Sequence, residues 1–114
     1  MIQCKRVYEA QNKEDGYRVL VDRLWPRGVK KEVLQPDEWC KLLAPSTELR
    51  RAYHGEVIDY DNFSKAYRAE LEKQRDEGKR LAALAGEKTV TLLYAAKDTG
   101  QNHALVLAKW LAEL

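Results

Sequence analysis

The apolar run Val19-Leu20-Val21 leads almost directly into Arg-Leu-Trp-Pro-Arg-Gly at residues 23–28, and this junction constrains the fold more than any other stretch. Three consecutive aliphatic residues, two of them β-branched, suit a strand covered on both faces, as in parallel sheets. Pro26 has no N–H to give to a ladder and Gly28 tolerates positive φ, so the strand must stop near Trp25. A buried strand that runs into two guanidiniums and rigid turn chemistry ends at a surface suited to binding.

Around this junction the chain alternates strand and helix patterns. Strands are expected over residues 2–8, 17–24 and 89–96, each with an apolar end or centre. Ser46 is placed to cap a helix over residues 47–54, with Glu48 in its first turn. Tyr60, Phe63, Tyr67 and Leu71 recur at helical spacing, which predicts a helix over residues 59–77. Gly78 is expected to kink or end it, residues 80–85 to resume it, and Gly86 to stop it. A last helix over residues 102–114 is apolar nearly all round, so it should be well buried or shared with another subunit. Residues 29–44 stay open between a short helix starting near Pro36 and an extended segment over residues 38–42. The separation of about 65 residues between the second and third strands leaves room for the crossover that parallel neighbours require. The expected architecture is α/β, a small and mainly parallel sheet of three or four strands flanked by helices, in one domain over residues 1–114.

Composition excludes several classes. With 45% hydrophobic and 33% charged residues in 114, the chain can bury a core and is not a disordered segment. No apolar run reaches the roughly 20 residues needed to span a bilayer, and the first residues lack a signal-peptide core, so no membrane partner and a cytoplasmic location are expected. Two cysteines, Cys4 and Cys40, make no disulfide framework and read as small buried hydrophobes. A net charge of +2 provides no basic field for nucleic acid, and Tyr17, Trp39, Tyr53 and Tyr60 lie on no basic stripe. The scattered glycines form neither a dinucleotide fingerprint nor a phosphate loop, and no serine elbow occurs. His54 and His103 match no metal-ligand spacing, so neither a metal nor a cofactor is expected.

If the second and third strands are parallel, the loops that follow them meet at one sheet edge, where open α/β sheets bind ligands. The first carries Arg23, Trp25 and Arg27; the second carries Lys97, Asn102 and His103 and opens a helix whose free N–H groups favour an anion. A small anionic ligand is therefore expected there, with Arg23, Arg27 and Lys97 supplying charge. Asn102 and His103 would supply hydrogen bonds, and Trp25 an apolar wall. His103 is also the candidate acid or base, since a helix N-terminus keeps an imidazole neutral; whether the chain is an enzyme stays open. Competing structural roles are an Asp22–Arg23 ion pair, a core Trp25, and Asp98 or Asn102 acting only as helix caps. The alternative function is a protein-interaction or homodimerisation module without catalysis, built on the arginine-tryptophan loop and the apolar last helix.

Three blocks carry a family resemblance: VLVDRLWPRG at residues 19–28, WCKLLAPSTELRRAYH at residues 39–54 and TLLYAAKDTGQNHALVL at residues 91–107. Together they resemble the YeaO-like family, a bacterial domain-of-unknown-function group, over almost the whole chain. The resemblance implies a compact α/β fold and a cytoplasmic bacterial protein, and no established activity. Longer relatives in the wider group carry a cysteine ahead of a His-Arg pair at the start of the last helix. Here His103 matches, but Asn102 stands at the cysteine position and Ala104 at the arginine position. The resemblance thus implies a shared site near Arg23 and His103, not a shared reaction.

Overall fold

The computed structural model describes residues 1–114. Four strands, β1 (Ile2–Arg6), β2 (Tyr17–Leu20), β3 (Glu38–Trp39) and β4 (Val90–Tyr94), form one all-parallel sheet in the order β1-β4-β2-β3. Five helices accompany it: α1 (Lys31–Leu34), α2 (Thr47–His54), α3 (Tyr60–Glu72), α4 (Arg75–Glu87) and α5 (His103–Ala112). The fold is α/β, as the pattern of elements predicts.

The central pair is β2 and β4, with Val19 opposite Leu92 and Leu20 opposite Leu93. Alternation sends Val19, Val21, Val90, Leu92 and Tyr94 to one face, where they meet α3, α4 and α5 in the main core. Leu20 and Leu93 point to the other face, which is thinner and is closed by Val7, Leu34, Trp25 and Trp39. An unbroken apolar strand is thus explained by cover on both sides, unequal in depth.

Several element ends differ from the sequence expectation. β2 is assigned only to Leu20, although the Val21 amide still donates to Leu93 O at 3.0 Å. The open stretch over residues 29–44 contains both elements: the short α1 and then β3, which pairs with β2 through Val19–Glu38 and Leu20–Trp39. The expected break at Gly78 is displaced. α3 ends at Glu72, and Gly78 lies inside α4. A Cβ at Gly78 would come within 2.4 Å of the Trp110 ring, so this glycine admits α5 against α4 rather than stopping a helix. Gly28, by contrast, has φ +73°, the conformation for which its turn needs a glycine.

Much of the apolar surface of the last helix is absorbed within the chain. Ala104, Val106, Leu107, Trp110 and Leu111 are buried, and α5 packs on β1, β4, α3 and α4. No helix is long and apolar enough to cross a membrane.

Candidate functional site

Because all four strands run the same way, the exits of β2 and β4 lie side by side at one sheet edge. Asp22 and Arg23 follow β2; Ala95 and Ala96 follow β4. His103 stands at the start of α5, and α2 brings Arg50 and His54, one helical turn apart, over the same edge. These residues, with Leu24 and Pro45, line a cavity of about 230 Å³.

Asp22 organises its floor. One carboxylate oxygen accepts the Ala95 amide at 3.1 Å, tying the two strand exits together. The other lies 2.9 Å from His103 Nε2, which is also 3.1 Å from Val21 O. The Val21 carbonyl facing Nε2 calls for a proton on that nitrogen, and Nδ1 has no partner in the chain. Arg23 does not pair with Asp22. Its guanidinium donates from Nε to Pro45 O at 3.1 Å and to Ala44 O at 3.4 Å, fixing the turn before α2.

Arg50 has a different standing. Its Nε is buried with no acceptor in the chain, and no carboxylate forms an ion pair with it. Burial of part of the His54 ring lowers its pKa below the ordinary histidine value, and the Arg50 and His103 charges lower it further against the pull of Asp22. The cavity therefore holds two guanidiniums and two imidazoles around one carboxylate, Asp22, whose Oδ2 accepts the Ala95 amide and whose buried Oδ1 lies 2.9 Å from His103 Nε2 without a hydrogen-bond partner. Such a set offers positive charge and hydrogen-bond donors at one place.

Beyond His54, Ala95 and Ala96 a wider cleft of about 740 Å³ opens, with Tyr53, Ile58 and Tyr60 on one side and Lys97, Asp98 and Gln101 on the other. The Tyr60 hydroxyl donates to Asn102 O at 2.9 Å and holds α3 against the start of α5.

The residues expected from sequence divide between these places. Arg23 and His103 line the inner cavity and Lys97 the wider cleft. Trp25 is corrected: it turns to the thin face, meets Trp39 edge-on at 5.4 Å and donates to Val29 O at 2.6 Å. Its ring is apolar and finds cover beneath the sheet, so it is no wall of the cavity. Arg27 is corrected as well. It is exposed on the turn after Pro26 and lines neither cavity.

Asn102 is buried and spent on structure: its Oδ1 accepts the Leu105 amide as the cap of α5, and its Nδ2 donates to Asp98 O at 2.8 Å. The loop amides expected to cradle an anion are occupied too. Asp98 Oδ1 accepts from Gly100 N at 2.8 Å and Gln101 N at 3.0 Å, so the loop carries its own carboxylate.

Arg50 and His54 are the site residues that the sequence reading left out. Their spacing of four on a capped helix put them on one face, which was the available signal; that the face turns toward the sheet edge is a tertiary fact. Elsewhere, Glu38, Cys40 and Glu77 bring donor atoms within 4.8 Å of one another, the spacing of a metal site. Arg80 bridges the two carboxylates and already supplies the cation. Desolvation raises both thiols, the half-buried Cys4 and the buried Cys40, to about 11, which suits inert cysteines.

Comparison with known proteins agrees with the resemblance read from the three blocks. A family model described as the inactive DUF488-N3 subclade matches residues 1–114. The uncharacterised protein YeaO of Escherichia coli is 62% identical over 113 residues, covering 99% of this chain and 98% of that protein. The uncharacterised protein Mb3100c of Mycobacterium bovis is 40% identical over 110 residues, covering 96% and 92%. Rv3073c of Mycobacterium tuberculosis, also uncharacterised, has the same identity and coverage. No solved structure matches.

Proposed function

The chain belongs to the inactive DUF488-N3 subclade, and from that membership we propose a binding protein that holds a small anion at the C-terminal edge of its sheet without turning it over. The observation that carries this reading is Arg50, a guanidinium with a buried N–H that no group of the chain accepts, in a cavity already shared by Arg23, His54 and His103. A bound oxyanion would accept that N–H and offset the charge of both arginines, relieving a cost of about 1–3 kcal/mol for the unmet donor.

His103 fits a binding role as well as it would a catalytic one. Asp22 orients it, and its free nitrogen, once protonated, becomes one more donor to the anion. The word "inactive" in the family's description favours binding over proton transfer. Two free cysteines and the absence of a helix able to span a bilayer agree with a cytoplasmic setting.

Isothermal titration with inorganic phosphate at low ionic strength tests the proposal. Phosphate should bind the wild type and bind Arg50→Gln about tenfold or more weakly, consistent with one charge-assisted hydrogen bond. Arg50→Gln removes no ion pair of the fold, so its unfolding midpoint should stay at the wild-type value. Equal affinity for the two proteins, or no binding to either, would refute an anion site here.

A further inference from the structure

The inner cavity and the wider cleft share His54, Ala95 and Ala96 as a common wall, and from their contrasting chemistry we infer that the ligand is a phosphate monoester with a hydroxyl-bearing body of nucleoside size. This rests on the anion-binding reading and adds to it the identity of the ligand's other end.

Size argues first. At about 230 Å³ the inner cavity falls short of the roughly 300–1,000 Å³ typical of metabolite pockets, whereas the adjoining cleft at about 740 Å³ lies within that range. A free inorganic anion would fill only the inner part. A phosphate ester places its phosphoryl group against Arg50 and Arg23 and its body in the cleft.

Charge argues second. The cleft reverses the sign of the inner cavity: Glu56, Asp59 and Asp98 face a single cation, Lys97. The Glu56 carboxylate has no hydrogen-bond or ion-pair partner in the chain, and Asp98 uses only Oδ1 on its loop amides, so Oδ2 is free to accept. Carboxylates so placed repel a second anionic group and accept hydrogen bonds from hydroxyl or amino donors. Apolar surface argues third. Ile58, Ala95, Ala96 and the Tyr53 ring form a wall for a planar body. Tyr53 is stacked on Phe63 at 4.6 Å and meets His54 and Tyr60 at 5.9 and 5.8 Å, which holds its ring in place at the cleft.

Titration of the full chain with inorganic phosphate, adenosine monophosphate and an adenosine bisphosphate bearing a second phosphate on its ribose tests the inference. The monophosphate should bind about tenfold tighter than phosphate, the gain expected from one or two added hydrogen bonds and a stacked ring. The bisphosphate should lose that gain. In the double variant Glu56→Gln, Asp98→Asn the gain of the monophosphate should fall and the bisphosphate should recover, while phosphate affinity stays at the wild-type value. Asn at position 98 keeps the oxygen that caps the loop, so the fold is retained.

If phosphate and the monophosphate bind equally, or if the double variant leaves their ratio unchanged, the inference is overturned and the anion site stands. If none of the three binds, the anion site falls with it.

Discussion

The two ends of the sheet hold their charges in opposite ways. At the N-terminal end, Arg18 on β2 is 2% exposed and pairs with Asp15, also 2% exposed, at 2.6 Å. Lys5 approaches the same carboxylate at 3.0 Å, and the second Arg18 amino group donates to Leu34 O. At the C-terminal end, Arg50 has no acid, Arg23 is met only by carbonyls, and the one carboxylate, Asp22, accepts the Ala95 amide while its buried Oδ1 beside His103 has no hydrogen-bond partner. The first cluster is closed and belongs to the fold. The second is open, and the binding reading rests on it. The difference lies in the acid nearby, since both clusters contain an arginine with a buried Nε that finds no acceptor.

Breaking the closed cluster should give the largest effect. Asp15→Ala leaves Arg18 buried and unpaired and removes the carboxylate that accepts the Asn12 amide. Loss of one partner of a buried pair costs about 3–5 kcal/mol, so chemical denaturation should show a stability loss of that order. Phosphate binding at the far edge should survive wherever the variant is folded.

The same cluster sets an acid limit. Burial is the strongest single influence on Asp15 and raises its pKa, but hydrogen bonds from Lys5, the Asn12 amide and Arg18 together bring it below the ordinary value. A carboxyl whose folded pKa is depressed stabilises the fold fully above its unfolded pKa near 3.9, and that contribution is lost as pH falls through the folded value. Wild-type stability should therefore drop below about pH 4, and the drop should be shallower in Asp15→Asn.

At the open end the pH effect should have the other sign for binding. His54 has a lowered pKa in the free protein, and a bound anion favours its charged form. Sulfate, whose charge is constant over this range, should thus bind more tightly as pH falls from about 7.5 to 6, by a few fold, and His54→Gln should flatten that dependence. Titration across this range reads the effect; equal slopes for the two proteins would remove His54 from the site.

The smallest effect marks a charge pair that belongs to neither class. Arg68 meets Glu113 at 3.0 Å on the exposed side of α3 and α5. Glu113→Gln should change stability by less than about 1 kcal/mol and leave phosphate binding as it was.

Much of this was legible in the residues themselves. Val19-Leu20-Val21 marked a strand covered on both faces, Ser46 marked the start of α2, and the Tyr60–Phe63–Tyr67–Leu71 spacing marked the buried face of α3. Arg23 and His103 were drawn to one edge by assuming parallel strands, and the topology agrees. Trp25 and Arg27 were less legible, because a turn governed by Pro26 and Gly28 decides which way each side chain leaves it. Gly78 misled for a related reason: a glycine that ends a helix and one that admits a neighbouring tryptophan look the same in one dimension.

The sequence by itself determined the class of fold, the strand exits and the cations at one of them, because periodicity and turn chemistry act over a few residues. Only the tertiary structure decided which cations are neutralised. Asp15 lies three residues from Arg18 and closes its charge locally, whereas the surroundings of Arg50, apart from Pro45 and His54, come from the exits of β2 and β4 and the start of α5, more than twenty residues away in either direction. A charge is open or closed according to what lies within a few ångströms of it, and at this sheet edge the chain meets itself only after it has folded.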